Sequence, residues 1–117
     1  MRWFQSTRQQ ARTCCKQATA CLDVGDDDLA LSWFNEAIRL DGRLAFGYLG
    51  RGFVLLRQGH YERAIGDFSE AIRLASDARA YFLRGLCYEA RGDLGRQRAD
   101  QGMALSLDPA VEKSLTR

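Results

Sequence analysis

Apolar residues recur along most of the chain at the three- and four-residue steps of amphipathic α-helices. In the stretch 61–74 the apolar positions are Ala64, Ile65, Phe68, Ala71, Ile72 and Leu74. These steps place apolar side chains on one face of a helix, which can then pack against a neighbour. No stretch alternates apolar and polar residues convincingly enough to predict a β-strand. The predicted helices run over about 6–24, 27–40, 44–57, 61–74, 78–91 and 94–107.

The helical pattern is repeated along the chain. The sequence GDDDLALSWFNEAIRL (25–40) returns as GHYERAIGDFSEAIRL (59–74), and a more divergent third copy begins at Gly92, after the same interval to within one residue. Repeats of about 20–50 residues indicate a stack of similar structural units. Each unit is predicted to be two helices joined by a turn at its glycine. The three units extend over about 11–44, 45–77 and 78–110.

Glycine and polar residues mark the turn inside each unit. Gly25, Gly59 and Gly92 suit the left-handed conformation with which many helices end. The residues that follow them can cap the next helix: Asp26 or Asp27, His60 and Asp93. Because the turns are short, each helix is expected to lie antiparallel to the next one.

A short segment is predicted at each end of the three units. The tail DPAVEKSLTR (108–117) predicts the start of a seventh helix, with Asp108 at the N-cap and Pro109 in the first turn. Val111 and Leu115 are four residues apart and are expected to cover the end of the stack. We therefore expect one domain over 1–117, with an N-terminal extension over 1–10 and a short cap over 111–117.

The three units share a local pattern of small and aromatic residues. Unit two reads YLGRGFVL over 48–55 and AIGDF over 64–68. The other units read CCKQATAC (14–21) with ALSWF (30–34), and YFLRGLCY (81–88) with QRADQ (97–101). These units resemble the tetratricopeptide repeat, whose pattern is W-x2-L-G-x2-Y followed by A-x3-F and P. The resemblance covers about 100 of the 117 residues. It implies an all-α fold, a right-handed α-α superhelix of three antiparallel helix hairpins with a short C-terminal capping turn or helix.

The pattern has a physical reason. A hairpin cannot bury its own apolar face, so each one needs a matching neighbour. Gly52 and Gly85 lie inside predicted helices, where glycine costs about 1 kcal/mol relative to alanine. They are expected where the backbone of a neighbouring helix passes close by. Phe34 and Phe68 are expected to fill the space between one unit and the next.

The second helix of unit three departs from this apolar pattern. Gln97, Arg98 and Gln101 stand where unit two has apolar residues. A terminal unit of a stack needs a polar outer face. We therefore expect this helix to face solvent and the stack to end there.

The resemblance also implies a binding groove, because in this family the first helices of the units line a concave face that holds a peptide. By this resemblance the inward side chains are Arg12, Cys15, Thr19, Leu22, Phe46, Leu49, Phe53, Leu56, Arg79, Phe82, Leu86 and Glu89. The expected partner-binding residues are Phe46, Leu49, Phe53, Leu56, Arg79, Phe82 and Leu86. Such an apolar groove suits an extended apolar segment or an amphipathic helix of another protein. The alternative is that several of these residues form the core between helices.

The residues do not favour the best-known binding mode of the family, a clamp on the C-terminal carboxylate of a partner. That clamp uses lysine, arginine and asparagine side chains. The matching positions here are Cys15, Thr19, Gly50, Arg79 and Leu83. Only Arg79 keeps a compatible charge. We therefore expect a non-catalytic protein–protein interaction module, an adaptor or scaffold, that does not clamp a chaperone tail.

Composition changes this picture little. The formal net charge is +2 and 46% of the residues are hydrophobic, which is ordinary for a globular chain and gives no reason to expect nucleic acid as a partner. No run of about 18 apolar residues predicts a membrane span, and the first residues lack the apolar core of a secretory signal. A cytoplasmic protein with its four cysteines as thiols is expected.

No set of residues predicts catalysis, a cofactor or a metal site. Cys14 and Cys21 are seven residues apart, about 10 Å along a helix, which is too far to share a metal with ligands at about 2.3 Å. His60, the one histidine, has no evident acidic partner. The three acids at 26–28 suit the positive end of a helix dipole. The cysteines expected to be small buried side chains are Cys14, Cys15, Cys21 and Cys87.

The N-terminal region suggests contact with a membrane as an alternative function. Arg2, Arg8, Arg12 and Lys16 are basic, and no acid precedes Asp23. Such a basic amphipathic stretch suits an anionic membrane surface. Acylation of the adjacent cysteines in the first helix would strengthen that contact.

A second alternative is a homodimer formed at the open end of the stack. Trp3, Phe4 and Trp33 would seal it, unless Trp3 and Phe4 fold back over the first hairpin. Trp33 stands where the other units have Asp67 and Asp100, on a face that is expected to be exposed to solvent.

Overall fold

The computed structural model describes residues 6–115, and these residues form seven α-helices and no β-strand. The helices are α1 Thr7–Asp23, α2 Asp27–Leu40, α3 Ala45–Arg57, α4 Tyr61–Leu74, α5 Ala78–Ala90, α6 Leu94–Leu107 and α7 Val111–Leu115. The ends of α1 to α6 agree with the predicted helices to within one residue. The apolar steps in the sequence therefore located these helices correctly.

The helices pair into three antiparallel hairpins, α1–α2, α3–α4 and α5–α6, that stack in chain order. The two helices of each hairpin pack most extensively on each other, while α2 packs on α3 and α4 on α5. The stack is 52 Å long and 26 × 25 Å across. The right-handed α-α superhelix predicted from the sequence is confirmed.

Glycine ends the first helix of each hairpin in the left-handed conformation, as predicted. The φ angles of Gly25, Gly59 and Gly92 are +80°, +82° and +79°. In each turn the N–H of the next residue donates to the carbonyl five residues before it, at 2.8–2.9 Å. This bond satisfies a carbonyl that the helix end leaves open. Because a residue with a Cβ is strained at this φ, the glycines fix the reversal between the helices.

The expected caps are formed at two of the three turns. Asp26 accepts a hydrogen bond from the N–H of Leu29, and Asp93 accepts one from the N–H of Arg96, both at 3.1 Å. His60 occupies the equivalent position before α4, but its side chain makes no capping hydrogen bond. Its predicted capping role is wrong, because a cap needs a short side chain with an acceptor oxygen.

Two clusters of buried residues run through the stack. The first lies between α1 and α2 and reaches α3: Ala11, Cys14, Cys15, Ala18, Ala30, Phe34, Ala37 and Val54. The second spans α3, α4 and α5: Leu49, Leu55, Ala64, Phe68, Ala71, Ala80, Leu83 and Cys87. Most members are small, so the helices can lie close together. Each cluster joins one hairpin to the next.

Two phenylalanine rings occupy the space that glycines leave free. A Cβ atom on Gly50 would lie 2.2 Å from the ring of Phe34, so Phe34 fills the space between the first two hairpins, as predicted. A Cβ atom on Gly52 would lie 2.7 Å from the ring of Phe68. Gly52 therefore makes room for a side chain of its own hairpin, which corrects the expectation of a neighbouring backbone. Gly85 does face the backbone of a neighbouring helix, because a Cβ atom on Gly85 would lie 3.4 Å from the backbone of α6.

A partly buried ion pair repeats in the second and third hairpins. Arg51 donates two hydrogen bonds to Asp67, both at 2.8 Å, and a third to Asn35 of the preceding hairpin at 3.1 Å. Arg84 repeats this arrangement, with two bonds of 2.8 Å to Asp100 and one of 3.0 Å to a serine of the preceding hairpin. Each arginine thus ties both helices of its hairpin to the hairpin before it.

Trp33 does not lie on a solvent-exposed face, so this expectation from the sequence is wrong. Its equivalents Asp67 and Asp100 are 7% and 5% exposed, because this position faces the first helix of its own hairpin. Trp33 is half-buried and packs against the first core cluster. Gln17 stands where the other hairpins have the paired arginine. The first hairpin therefore has apolar contacts in place of the ion pair.

The C-terminal end of the stack is formed by a polar helix and a short cap. α6 buries only Asp100 and Ala104, and Gln97 donates to Gln101 at 2.8 Å on its surface, as its polar sequence predicted. α7 packs on α5 with Val111 fully buried. The cap therefore covers α5 and leaves leucines of α6 exposed.

Candidate functional site

One groove is lined by α1, α3 and α5, the first helices of the three hairpins, and two adjacent cavities open in it. The apolar cavity, of about 160 Å³, is lined by Thr19, Leu22, Phe34, Phe46, Leu49, Gly50, Phe53, Arg79, Leu83 and Leu115. The cationic cavity, of about 560 Å³, is lined by Arg12, Cys15, Lys16, Thr19, Ala20, Asp23, Leu44 and Phe46. Because Thr19 and Phe46 line both cavities, one ligand can reach from the first into the second.

Phe46 lies at the junction of the two cavities. Its ring centroid is 6.3 Å from that of Phe34, with 59° between the ring planes. The guanidinium carbon of Arg79 is 5.9 Å from the centroid of the Phe46 ring. These contacts orient the ring, yet 37% of the residue stays exposed.

The charge of Arg79 is already paired within the protein. Arg79 Nη2 donates to Asp77 Oδ2 at 2.7 Å, and Arg79 Nε donates to Asp77 Oδ1 at 3.1 Å. These side-chain hydrogen bonds hold the pKa of Asp77 below its ordinary value of 3.8. The same carboxylate accepts from the Arg79 N–H at the start of α5, at 2.8 Å. An anionic ligand at Arg79 would therefore compete with Asp77.

The structure brings Phe46, Leu49, Phe53 and Arg79 together in the apolar cavity, out of the seven groove residues predicted from the sequence. Leu49 lines this cavity but is only 7% exposed and also belongs to the second core cluster, so its role in partner binding stays a prediction. Leu56 is half-buried and packs against the same cluster.

Phe82 and Leu86 line neither of the two cavities of the groove. They line a more polar cavity of about 200 Å³, together with Glu89 and two glutamines of α6. Leu86 is 37% exposed, and Phe82 is half-buried. α5 instead contributes Arg79 and Leu83 to the apolar cavity.

Six residues line the apolar cavity although they were not expected as partner-binding residues: Thr19, Leu22, Phe34, Gly50, Leu83 and Leu115. Of these, Thr19 and Leu22 were expected only as inward side chains of the groove. Phe34 comes from a second helix and reaches the cavity because Gly50 has no side chain in its way. The repeat register contained a signal for Leu115. Leu49, Phe82 and Leu115 are evenly spaced along the chain at the repeat interval, so they hold equivalent positions in α3, α5 and α7.

The buried thiols of Cys15 and Cys87 are not suited to act as nucleophiles. Cys14, Cys15 and Cys87 are buried, as predicted, while Cys21 is half-buried. Burial raises the pKa of Cys15 to about 11 and that of Cys87 to about 12. At neutral pH both thiols are therefore protonated and poor nucleophiles, which disfavours acylation of Cys15. Within residues 6–115, no three His, Cys, Asp or Glu side chains form a group that could hold a metal ion.

The self-association and membrane-contact hypotheses concern the start of the chain. Trp3 and Phe4 lie outside the described residues 6–115, so self-association through them and Trp33 stays a prediction. Among the described helices, none has the length and apolar character needed to cross a membrane.

Two family profiles match the chain. Both describe the tetratricopeptide repeat, one over residues 49–111 and the other over residues 11–43. The chain belongs to the tetratricopeptide repeat family. The resemblance inferred from its three repeated units is thus confirmed.

Other proteins are similar to this chain in sequence or in fold. The Hsp70-Hsp90 organizing protein of Triticum aestivum is 35% identical over 78 residues, which make up 66% of this chain but only 13% of that protein. The second tetratricopeptide domain of Spaghetti (RPAP3), solved with the HSP90 peptide SRMEEVD, has a TM-score of 0.84 and 26% identity, over 86% of this chain and 94% of that one. The Arabidopsis OM64 tetratricopeptide domain has a TM-score of 0.85 and 24% identity, over 88% and 86%.

Proposed function

We propose that this tetratricopeptide protein is a non-catalytic interaction module that binds a peptide or helix of a partner protein in its groove. The observation that carries the proposal is the exposed ring of Phe46 inside the apolar cavity. A large apolar side chain in a concave site gains stability when a ligand buries it. The Spaghetti domain, which is similar in fold and was solved with a peptide, supports the same use of this fold here.

We do not propose that this chain binds a chaperone peptide like the HSP90 peptide solved with the Spaghetti domain. At the positions where the family's clamp on a terminal carboxylate has cations or amides, this chain has buried Cys15 and Leu83 and the side-chain-free Gly50. Arg79 remains, and Asp77 already neutralises it. Peptide binding by this chain would therefore rest on apolar contacts around Phe46 rather than on that clamp.

The proposed setting of this function is the cytoplasm, where the protein would act as an adaptor or scaffold. The four cysteines are free thiols, which suits a reducing compartment. The match to only 13% of the wheat relative means that other activities of that protein are not carried over.

A peptide selection tests the proposal. Random peptides of about twelve residues, displayed with free C-termini, would be selected on the immobilised chain and then synthesised with a fluorescent label. We expect Phe46→Ser to weaken the selected peptides at least about tenfold, because about 1.4 kcal/mol of apolar contact corresponds to that factor. Fluorescence anisotropy measures the affinities, and circular dichroism confirms that the variant is folded.

Met103→Ser is the matched control for this experiment. Met103 is 44% exposed on α6, outside the groove, so its removal is expected to leave peptide affinity within about twofold of the parent. Phe46→Ala provides a second variant if the serine disturbs folding. Failure to enrich any peptide, or equal binding by the Phe46 variants and the parent, would refute groove binding.

A further inference from the structure

A short extended loop joins the second hairpin to the third. It consists of Ala75, Ser76 and Asp77, between the end of α4 and the start of α5. The φ and ψ angles are −157° and 121° at Ala75 and −106° and 127° at Asp77, so the backbone is extended on both sides of Ser76. Ala75 and Ser76 are exposed. An exposed, extended segment is the form in which a chain enters the cleft of a modifying enzyme.

The hydroxyl of Ser76 is not used by the fold. Ser76 is the one serine among residues 6–115 whose side chain enters no hydrogen bond within that part of the chain. The others accept a hydrogen bond from a backbone N–H or from an arginine, or donate one to a carbonyl of the preceding helical turn: Ser6, Ser69, Ser32, Ser106 and Ser114. The Ser76 hydroxyl can therefore react without first losing a hydrogen bond within the protein.

An exposed arginine precedes this serine. The sequence RLAS (73–76) places Arg73 three residues before Ser76, and no other serine of the chain has an arginine at that distance. The Arg73 side chain is 66% exposed and pairs with Glu70 of its own helix. Because an exposed pair of this kind contributes little to stability, an acidic group of another protein can replace Glu70. Protein kinases select their substrates by such charges beside the hydroxyl.

We propose that Ser76 is a phosphorylation site for a protein kinase that recognises an arginine three residues before the hydroxyl. The Ser76 Oγ attacks the γ-phosphorus of ATP and forms a bond to it, while the bond from this phosphorus to the β,γ-bridging oxygen breaks. ADP leaves with the electron pair of that bond, and a carboxylate of the kinase accepts the hydroxyl proton. Arg73 lies in the last turn of α4. Only this turn has to open in the kinase, and helix ends fray readily.

The phosphate would add negative charge beside the groove. The neighbouring Asp77 pairs with Arg79, and both residues line a cavity of about 100 Å³ together with Phe46. A phosphoserine carries about −1.5 to −2 charges at pH 7. It would compete with Asp77 for Arg79, because arginine forms strong paired hydrogen bonds with phosphate. The modification itself does not depend on peptide binding in the groove, so it goes beyond the proposed function.

A kinase assay on the folded chain tests this proposal. The chain would be incubated with ATP, Mg²⁺ and the catalytic subunit of the cyclic-AMP-dependent protein kinase, which recognises arginine before the hydroxyl. Mass spectrometry with fragmentation is expected to find a single phosphate, on Ser76, and none on Ser76→Ala. Arg73→Ala should lower the initial rate at least about tenfold, because the kinase loses a charge contact to its substrate. Circular dichroism confirms that the variants are folded.

Arg39→Ala is the matched control. Arg39 is the equivalent arginine of unit one, in EAIRL (36–40), and pairs with Glu36 as Arg73 pairs with Glu70. Because it is remote from Ser76 in the sequence, its removal should leave the rate within about twofold of the parent.

A synthetic peptide of residues 69–80 separates recognition from accessibility. Phosphorylation of this peptide but not of the folded chain would show that the loop is inaccessible, which overturns the proposal. No phosphate on either substrate, a phosphate on other hydroxyls in place of Ser76, or an Arg73→Ala variant modified at the parental rate would overturn it as well.

Discussion

Single residues set how closely the helices of this protein approach. Gly50 has no side chain, and the ring of Phe34 occupies the place where its Cβ atom would lie. Since Phe34 also lines the apolar cavity, this glycine shapes both the core and the floor of the groove. Gly66 on α4 offers a contrast, because nothing lies within 4 Å of a Cβ atom placed there.

Gly50→Ala is expected to lower the free energy of unfolding by about 1–3 kcal/mol, since the added methyl group overpacks against the Phe34 ring. The matched control Gly66→Ala is expected to raise it by about 0.5–1 kcal/mol, because alanine is the better helix former and meets no neighbour. Urea unfolding followed by circular dichroism measures both changes. Effects of the same sign and size would show that Phe34 does not pack over Gly50.

At the scale of elements, the bounds of the helices are predicted from the sequence more completely than their packing. The apolar steps and the turn glycines located α1 to α6, because both signals are local in the chain. The side-by-side packing of the helices was harder to predict. An aspartate at position 67 suggests a solvent-exposed face, yet Asp67 is buried because Arg51, on the other helix of the hairpin, faces it. The error about Trp33, at the same register, has the same origin.

The groove was predicted only in part for a related reason. The repeat register correctly placed Phe46, Phe53 and Arg79 around one cavity. Register does not tell how much of a side chain neighbouring helices cover. Leu49 therefore lines the apolar cavity but is nearly buried, and Leu86 lines a different cavity. Nor does the register show that Arg79 is neutralised, which depends on side-chain geometry at the start of α5.

The partly buried ion pair between Arg84 and Asp100 joins α5 to α6, and removing one partner tests its contribution to stability. Asp100→Ala is expected to lower the free energy of unfolding by about 3 kcal/mol, because Arg84 then stays partly buried without an acid. Arg84→Ala/Asp100→Ala should cost less than the sum of the single changes, by at least about 1 kcal/mol. Chemical denaturation of the single and double variants gives the coupling.

Arg73→Ala is the control for an exposed pair. Its partner Glu70 lies one turn earlier on α4, and the side chain of Arg73 is 66% exposed. Its loss should leave the free energy of unfolding close to that of the parent, because exposed ion pairs contribute little to stability. If Asp100→Ala were as mild as this control, the ion pair would not contribute to holding α5 and α6 together.

At the scale of the whole molecule, the proposed binding site is one that no single hairpin contains. The apolar cavity takes residues from α1, α2, α3, α5 and α7, and α1 adds the cationic side. This explains in physical terms why the repeats alone indicate a family and a fold but not a partner. Partner choice depends on the few side chains that remain exposed and unpaired after the hairpins have packed.

The most direct test of the central claim is a titration of the ¹⁵N-labelled chain with a peptide from the selection, followed by two-dimensional NMR. Peptide binding in the groove predicts that the largest saturable shift changes cluster on α1, α3 and α5, around Thr19 and Phe46. The outward helices α2, α4 and α6 should change little. Saturable changes centred on those outward helices, or no saturable change at all, would contradict the account.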